Sequence, residues 1–89
     1  MSDQIFDFAR ELLSGTITKS RSDRELLAEF GERVRSSRMQ YNLSRKELAC
    51  KSGMSERYIG VIEAGKGNIS IVLLFRLIEA FQRCRPQTA

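Results

Sequence analysis

Eighty-nine residues make one small domain, too short for a multi-layer enzyme and small enough that dimerisation would add to its stability. There is no histidine, which excludes Ser-His-Asp and Cys-His catalysis and histidine-ligated zinc, and the two cysteines, Cys50 and Cys84, form neither a disulfide framework nor a metal-ligand spacing. Residues 33–89 hold eleven basic and four acidic side chains, net +7, whereas residues 1–32 hold four basic and seven acidic, net −3. A polyanion suits the second part, although charge alone fits a solvated basic surface equally well.

The N-terminal decapeptide MSDQIFDFAR is acidic and its apolar residues are interrupted by charges, so it reads as neither a signal peptide nor a membrane span. The expected location is the cytoplasm. Helical spacing over about Asp3 to Leu13 gathers Ile5, Phe6, Phe8, Ala9, Leu12 and Leu13 on one arc, with Asp7, Arg10 and Glu11 opposite. Gly15 ends that helix, and the hydroxyl-rich stretch TITKSRS, residues 16–22, forms a connector. Ser22 and Glu25 then have capping-box spacing, which predicts a second helix with Leu26, Leu27, Phe30 and Val34 in the core, ending near Tyr41 and Asn42.

Ser44 and Glu47 repeat the capping box, so a third helix begins at Arg45 and turns Leu48 and Ala49 inward. Gly53 stands where the chain turns sharply, and Ser55 caps the next helix. With about 100° per residue counted from Glu56, Ile59 and Ile62 fall near 300° and 240°, while Arg57, Gly60 and Val61 fall between about 40° and 140°. One side of this helix is core and the other is open. A loop over Gly65 to Ile69 leads to a fifth helix capped by Ser70, with Ile71, Leu74, Leu77, Ile78 and Phe81 at helical spacing and Pro86 blocking continuation past Arg85. The fold class is therefore all-α, a compact bundle of about five helices. The organisation is residues 1–22 as N-terminal helix and linker, 23–82 as the core domain and 83–89 as a short tail. No catalytic constellation, GxxxxGK(S/T) string or GxGxxG string is present, so no enzyme activity, metal or cofactor is expected.

The segment SRKELACKSGMSERYIGVIEAG, two short helices around one tight turn, has the pattern of a DNA-binding helix-turn-helix. From about Phe30 to Phe81 the chain resembles the DNA-binding domain of the phage-repressor and Cro superfamily, the XRE family. The elements that carry this are FGxRVR, LSRKELA, SGMSxRYIxxIExG and NISIVLLxRL, in order and without gaps. The stretch SGMSERYIGVIEAGKGNISIVLL is similar to the N-terminal domain of benzoyl-CoA-responsive regulators. Controller proteins of restriction-modification systems share the NxSI ending and match the chain in length.

The resemblance implies a lambda-repressor-like fold whose second helix of the unit lies in the major groove of double-stranded DNA. Base reading then falls to Ser55, Glu56, Arg57, Gly60 and Val61, with Arg57 paired to a guanine edge and Val61 on a thymine methyl. Glu56 either accepts from cytosine or serves the helix dipole without touching a base. Phosphate contacts fall to Arg45, Lys46, Tyr58, Lys66 and Asn68, the last two being ordinary loop residues on the alternative view. Arg38 and Glu63 match positions that the family pairs in a partly buried salt bridge.

Two departures from the family pattern stand out. Ser37 replaces a leucine that packs under the recognition helix, leaving space for Tyr41 or Met39, and Arg45 replaces a common glutamine. The fifth core helix of many relatives is reduced to FQRCRPQTA, so the N-terminal helix either covers that end of the domain or pairs with its symmetry mate through Ile5, Phe6, Phe8, Leu12 and Leu13. The expected partners are double-stranded DNA, as an inverted repeat, and a second copy of the chain, with no membrane. The alternative is a protein-interaction module of the antitoxin kind on the same fold. Ile59, Ile62, Leu73 and Leu77 are expected in the core, and Cys50 as a small packing residue.

Overall fold

The computed structural model describes residues 6, 7, 10, 22–67 and 70–84. Four helices run through it: α1 over Asp23–Gln40, α2 over Arg45–Ser52, α3 over Glu56–Glu63 and α4 over Ile71–Cys84. No strand occurs among the described residues, so the fold is all-α as expected. Phe6, Asp7 and Arg10 are helical as well, at the place of the expected first helix, whereas Ile5, Phe8, Leu12 and Leu13 lie outside the described residues.

Each of the four helices starts on a serine. Ser22 Oγ accepts from the Glu25 N–H at 3.2 Å while Glu25 Oε1 accepts from the Ser22 N–H at 2.9 Å. The same reciprocal pair recurs at α2, at 3.0 Å from the Glu47 N–H to Ser44 Oγ and 2.8 Å from the Ser44 N–H to Glu47 Oε1. Ser55 Oγ takes the Tyr58 N–H at 3.0 Å, and Ser70 Oγ takes the Leu73 N–H at 3.2 Å. Each bond satisfies a donor that the first helical turn would leave unpaired, and such a serine is worth about 1 kcal/mol over alanine.

The C-terminal ends of α1, α2 and α3 are closed by left-handed residues. At the end of α1, Asn42 has φ 57, its N–H donates to the Met39 carbonyl at 3.0 Å, and the Leu43 N–H donates to that of Arg38 at 2.9 Å. α3 ends the same way around Gly65 at φ 75, with Gly65 N–H to Ile62 at 2.9 Å and Lys66 N–H to Val61 at 3.1 Å. This double bond pattern caps orphan carbonyls, and it needs a residue for which positive φ is cheap. Gly53, at φ 74 and ψ 21, makes the sharp turn between α2 and α3.

Phe30, Val34, Leu48, Ala49, Ile59, Ile62, Leu77, Ala80 and Phe81 form one buried cluster fed by all four helices. Burying a side chain such as Leu48 or Ile59 completely contributes about 1.5–3 kcal/mol. α3 packs against both α1 and α2, and α4 packs against α2. The α1–α3 crossing is unusually close: a methyl on Gly31 would stand 2.2 Å from the Ile62 carbonyl oxygen and 3.0 Å from that of Glu63.

Three expected core residues are only half-buried. Leu26 and Leu27 lie near the start of α1, beside the Gly65 turn that comes close to Ala28, and Leu73 lies in the first turn of α4. Ser37 is fully buried, Tyr41 packs on the core with its ring 5.9 Å from that of Phe81, and Met39 is 55 % exposed. Cys50 is exposed rather than packed. Phe6 is half-buried against the core cluster, the one described member of the N-terminal apolar arc.

Candidate nucleic-acid interface

α3 is eight residues long, and its sequence divides it cleanly. Ile59 and Ile62 are buried under α1 and α2, while the N-cap Ser55 and the first two helical residues, Glu56 and Arg57, are exposed. Ser55 Oγ accepts from the Tyr58 N–H, and the hydroxyl keeps its own proton to donate and a second lone pair with which to accept. A methyl on Gly60 would meet nothing within 4 Å, which leaves the helix backbone open to close approach from outside. Val61 is half-buried, because Gly67 lies so close that a methyl there would come within 3.0 Å of Val61 Cγ1. The Tyr58 ring is half-buried against the core beside the same glycine, so only its outer edge faces the surface.

The orientation of α3 is held by Glu63 at its C-terminal end. Arg38 Nε donates to Glu63 Oε2 at 2.7 Å and Arg38 Nη2 to Oε1 at 3.3 Å, while Arg38 Nη1 donates to the Leu43 carbonyl at 2.9 Å. The expected Arg38–Glu63 pair is thus present, and one guanidinium ties α3 to α1 and to the loop before α2. The Glu63 side chain is 2 % exposed and Arg38's 14 %, so the pair is largely desolvated, and each Arg38 nitrogen donates at least one hydrogen bond while both Glu63 oxygens accept. Arg45, expected on phosphate, also donates to Glu63 Oε1 at 3.1 Å, with its side chain still 49 % exposed. Sequence spacing did not reveal this third link, since Arg45 and Glu63 are brought together only by the turn at Gly53.

Lys46 and Lys66 are exposed at the starts of α2 and of the loop after α3; Asn68 lies outside the described residues. Lys66 and Arg24 flank an open groove of about 550 Å3 running along Leu27, Ala28, Ala64 and Gly65. At the other end of the unit the Ser44 N–H, and after it the Ser44 hydroxyl, hold the Glu47 carboxyl below its ordinary value, with Lys51 acting in the same direction and desolvation opposing. That carboxylate is committed to the α2 cap and stays charged at neutral pH.

Among the described residues no group of His, Cys, Asp or Glu is placed to hold a metal ion, and no helix is long and apolar enough to cross a membrane. Residues 34–87, more than half of the chain and including α2, the turn and α3, match the family described as HTH_3, helix-turn-helix. Neither the curated proteins nor the solved structures contain a match.

Proposed function

The chain belongs to the helix-turn-helix family of DNA-binding regulators, and from that membership we propose that it is a sequence-specific transcriptional regulator with α3 as its recognition helix. The N-terminal end of α3 enters the major groove and α2 crosses the sugar-phosphate backbone. Arg57 reads a guanine through its O6 and N7 edge, Glu56 and Ser55 face neighbouring base edges, Val61 lies against a thymine methyl, and Gly60 lets the helix come close. Lys46, Lys66, the outer edge of Tyr58 and Asn68 hold phosphates and so set register rather than sequence. Arg45 joins them by turning its exposed guanidinium from Glu63 to a phosphate. Two copies occupy an inverted repeat with half-sites about 34–36 Å apart or a multiple of that.

The observation that supports this reading best is the exposure of Arg57 two residues into a helix whose opposite face is wholly buried and whose far end is locked by Glu63. Selection from random duplexes, followed by affinity measurements at two salt concentrations, tests it. A palindromic consensus and a steep salt dependence are the expected result. Binding without base preference would replace the regulator by an interaction module.

A further inference from the structure

The turn that ends α3 borders a groove whose two cations have no role within the fold. At about 100° per residue Arg24, Leu27, Ala28 and Gly31 share one stripe of α1. A methyl on Gly31 would collide with the Ile62 carbonyl and one on Gly65 would stand 2.9 Å from Ala28 Cα, so the stripe follows the C-terminal end of α3 and then its closing turn. Arg24, about one helical turn before Ala28, therefore stands beyond the last residue of α3. Together with Lys66 it borders the open groove of about 550 Å3 that is otherwise lined by Leu27, Ala28, Ala64 and Gly65.

The lining is cationic and apolar, with no acidic residue in it. Arg24 and Lys66 are exposed, and among the described residues neither meets a carboxylate. The acidic residues of α1 lie off this stripe: Glu25 accepts from the Ser22 N–H at 2.9 Å and Glu29 from Arg33 at 2.8 Å. Nor does Arg24 serve its own helix, because a cation in the first turn opposes the helix dipole. Two uncompensated cations on apolar walls select an anion that also presents an apolar surface, and a nucleic-acid strand does this by alternating phosphate with the carbon face of deoxyribose.

We propose that this groove takes the sugar-phosphate strand of the duplex, with Arg24 and Lys66 on neighbouring phosphates of one strand and Leu27 and Ala28 against the sugar between them. The proposal rests on the reading of α3 as the recognition helix and adds to it a contact from α1, outside the helix-turn-helix itself. Lys66 is the link, since it follows Gly65 directly and the strand it holds continues along the groove to Arg24. α1 then sets register together with α2 and the loop after α3. The close approach of Gly65 to Ala28 fixes the placement of the two cations relative to each other.

Affinity of the full chain for its selected site and for a random-sequence duplex, measured at about 50 and 200 mM salt, tests this contact. Arg24→Ala should lower the salt slope by about 0.9 on both duplexes, so that the rise in salt weakens the variant about three- to fourfold less than it weakens wild type. Arg24→Lys should restore the slope, and the thermal midpoint of Arg24→Ala should not fall, since the side chain has no partner to lose. Replacing single phosphates of the selected site by uncharged methylphosphonates locates the contacts. Arg24→Ala and Lys66→Ala should each become indifferent to one such replacement, and the two positions should be neighbours on one strand. An unchanged slope for Arg24→Ala would give the groove to another occupant and overturn the proposal, as would positions on opposite strands. A wild type that binds both duplexes alike would sink the regulator reading while the Arg24→Ala slope still decides this contact; base preference with an unchanged Arg24→Ala slope would do the reverse, and no duplex binding at all would overturn both.

Discussion

Glu63, the last residue of α3, lies with one carboxylate oxygen 2.7 Å from Nε of Arg38 near the end of α1, twenty-five positions earlier in the chain. Arg38 also holds the Leu43 carbonyl, so removing Glu63 strands a largely buried guanidinium and unties three elements at once. Glu63→Ala should cost about 3–5 kcal/mol, a large part of what a small domain has. Arg45→Ala, on the exposed side of the same carboxylate, should cost about 0–1 kcal/mol. Urea denaturation of the two variants measures the contrast; equal costs would mean that the buried pair does not hold α3.

Gly60→Ala separates stability from recognition. Glycine inside a helix is worse than alanine by roughly 0.5–1 kcal/mol, and an added methyl here meets nothing in the protein. The variant should melt higher and bind DNA more weakly, because the methyl fills the space through which the groove floor approaches. A variant that gains stability and keeps full affinity would show that this side of α3 stays clear of the bases.

Gly31→Ala acts in the opposite way. Its methyl would collide with two backbone carbonyl oxygens of α3, atoms that cannot rotate aside as a side chain does. The helices must separate, and the loss should be about 1–3 kcal/mol or more, seen as a lower thermal midpoint with DNA affinity falling in parallel. An unchanged midpoint would contradict the close α1–α3 crossing.

Glu47 gives a pH signature. Its carboxyl is held below the ordinary value of 4.5 by the Ser44 N–H and hydroxyl. A folded-state pKa below the unfolded one means that the charge contributes stability that is fully present above pH 4.5 and is lost as pH falls through the lowered value. Thermal melts of wild type and Glu47→Gln should differ by a constant amount between about pH 6 and 8 and converge in acid. A gap that persists undiminished in acid would exclude the charged cap as its source.

Local chemistry was the most legible part of this chain. Ser22, Ser44, Ser55 and Ser70 announce helix starts by the same spacing through which they bond in the structure, and the alternation of Ile59 and Ile62 with Arg57 and Gly60 divides α3 before any fold is known. Long-range geometry was not legible. Leu26, Leu27 and Leu73 have core spacing but are only half-buried, each standing near the start of its own helix. Arg45 looks like a free cation until the turn at Gly53 brings Glu63 beside it. Gly31 carried a signal that composition alone leaves ambiguous: a glycine in a helix interior costs stability, so it marks either weakness or a close backbone approach, and here it marks the approach.

The most direct measurement is a base-by-base affinity profile on the selected site for wild type and Arg57→Ala, with Lys66→Ala alongside. Arg57→Ala should lose about 1–3 kcal/mol of discrimination at one symmetric guanine, at unchanged thermal stability, while Lys66→Ala weakens every sequence alike and lowers the salt slope by about 0.9. An Arg57→Ala protein that keeps the full base preference of wild type would contradict the assignment of the α3 tip as the reading head.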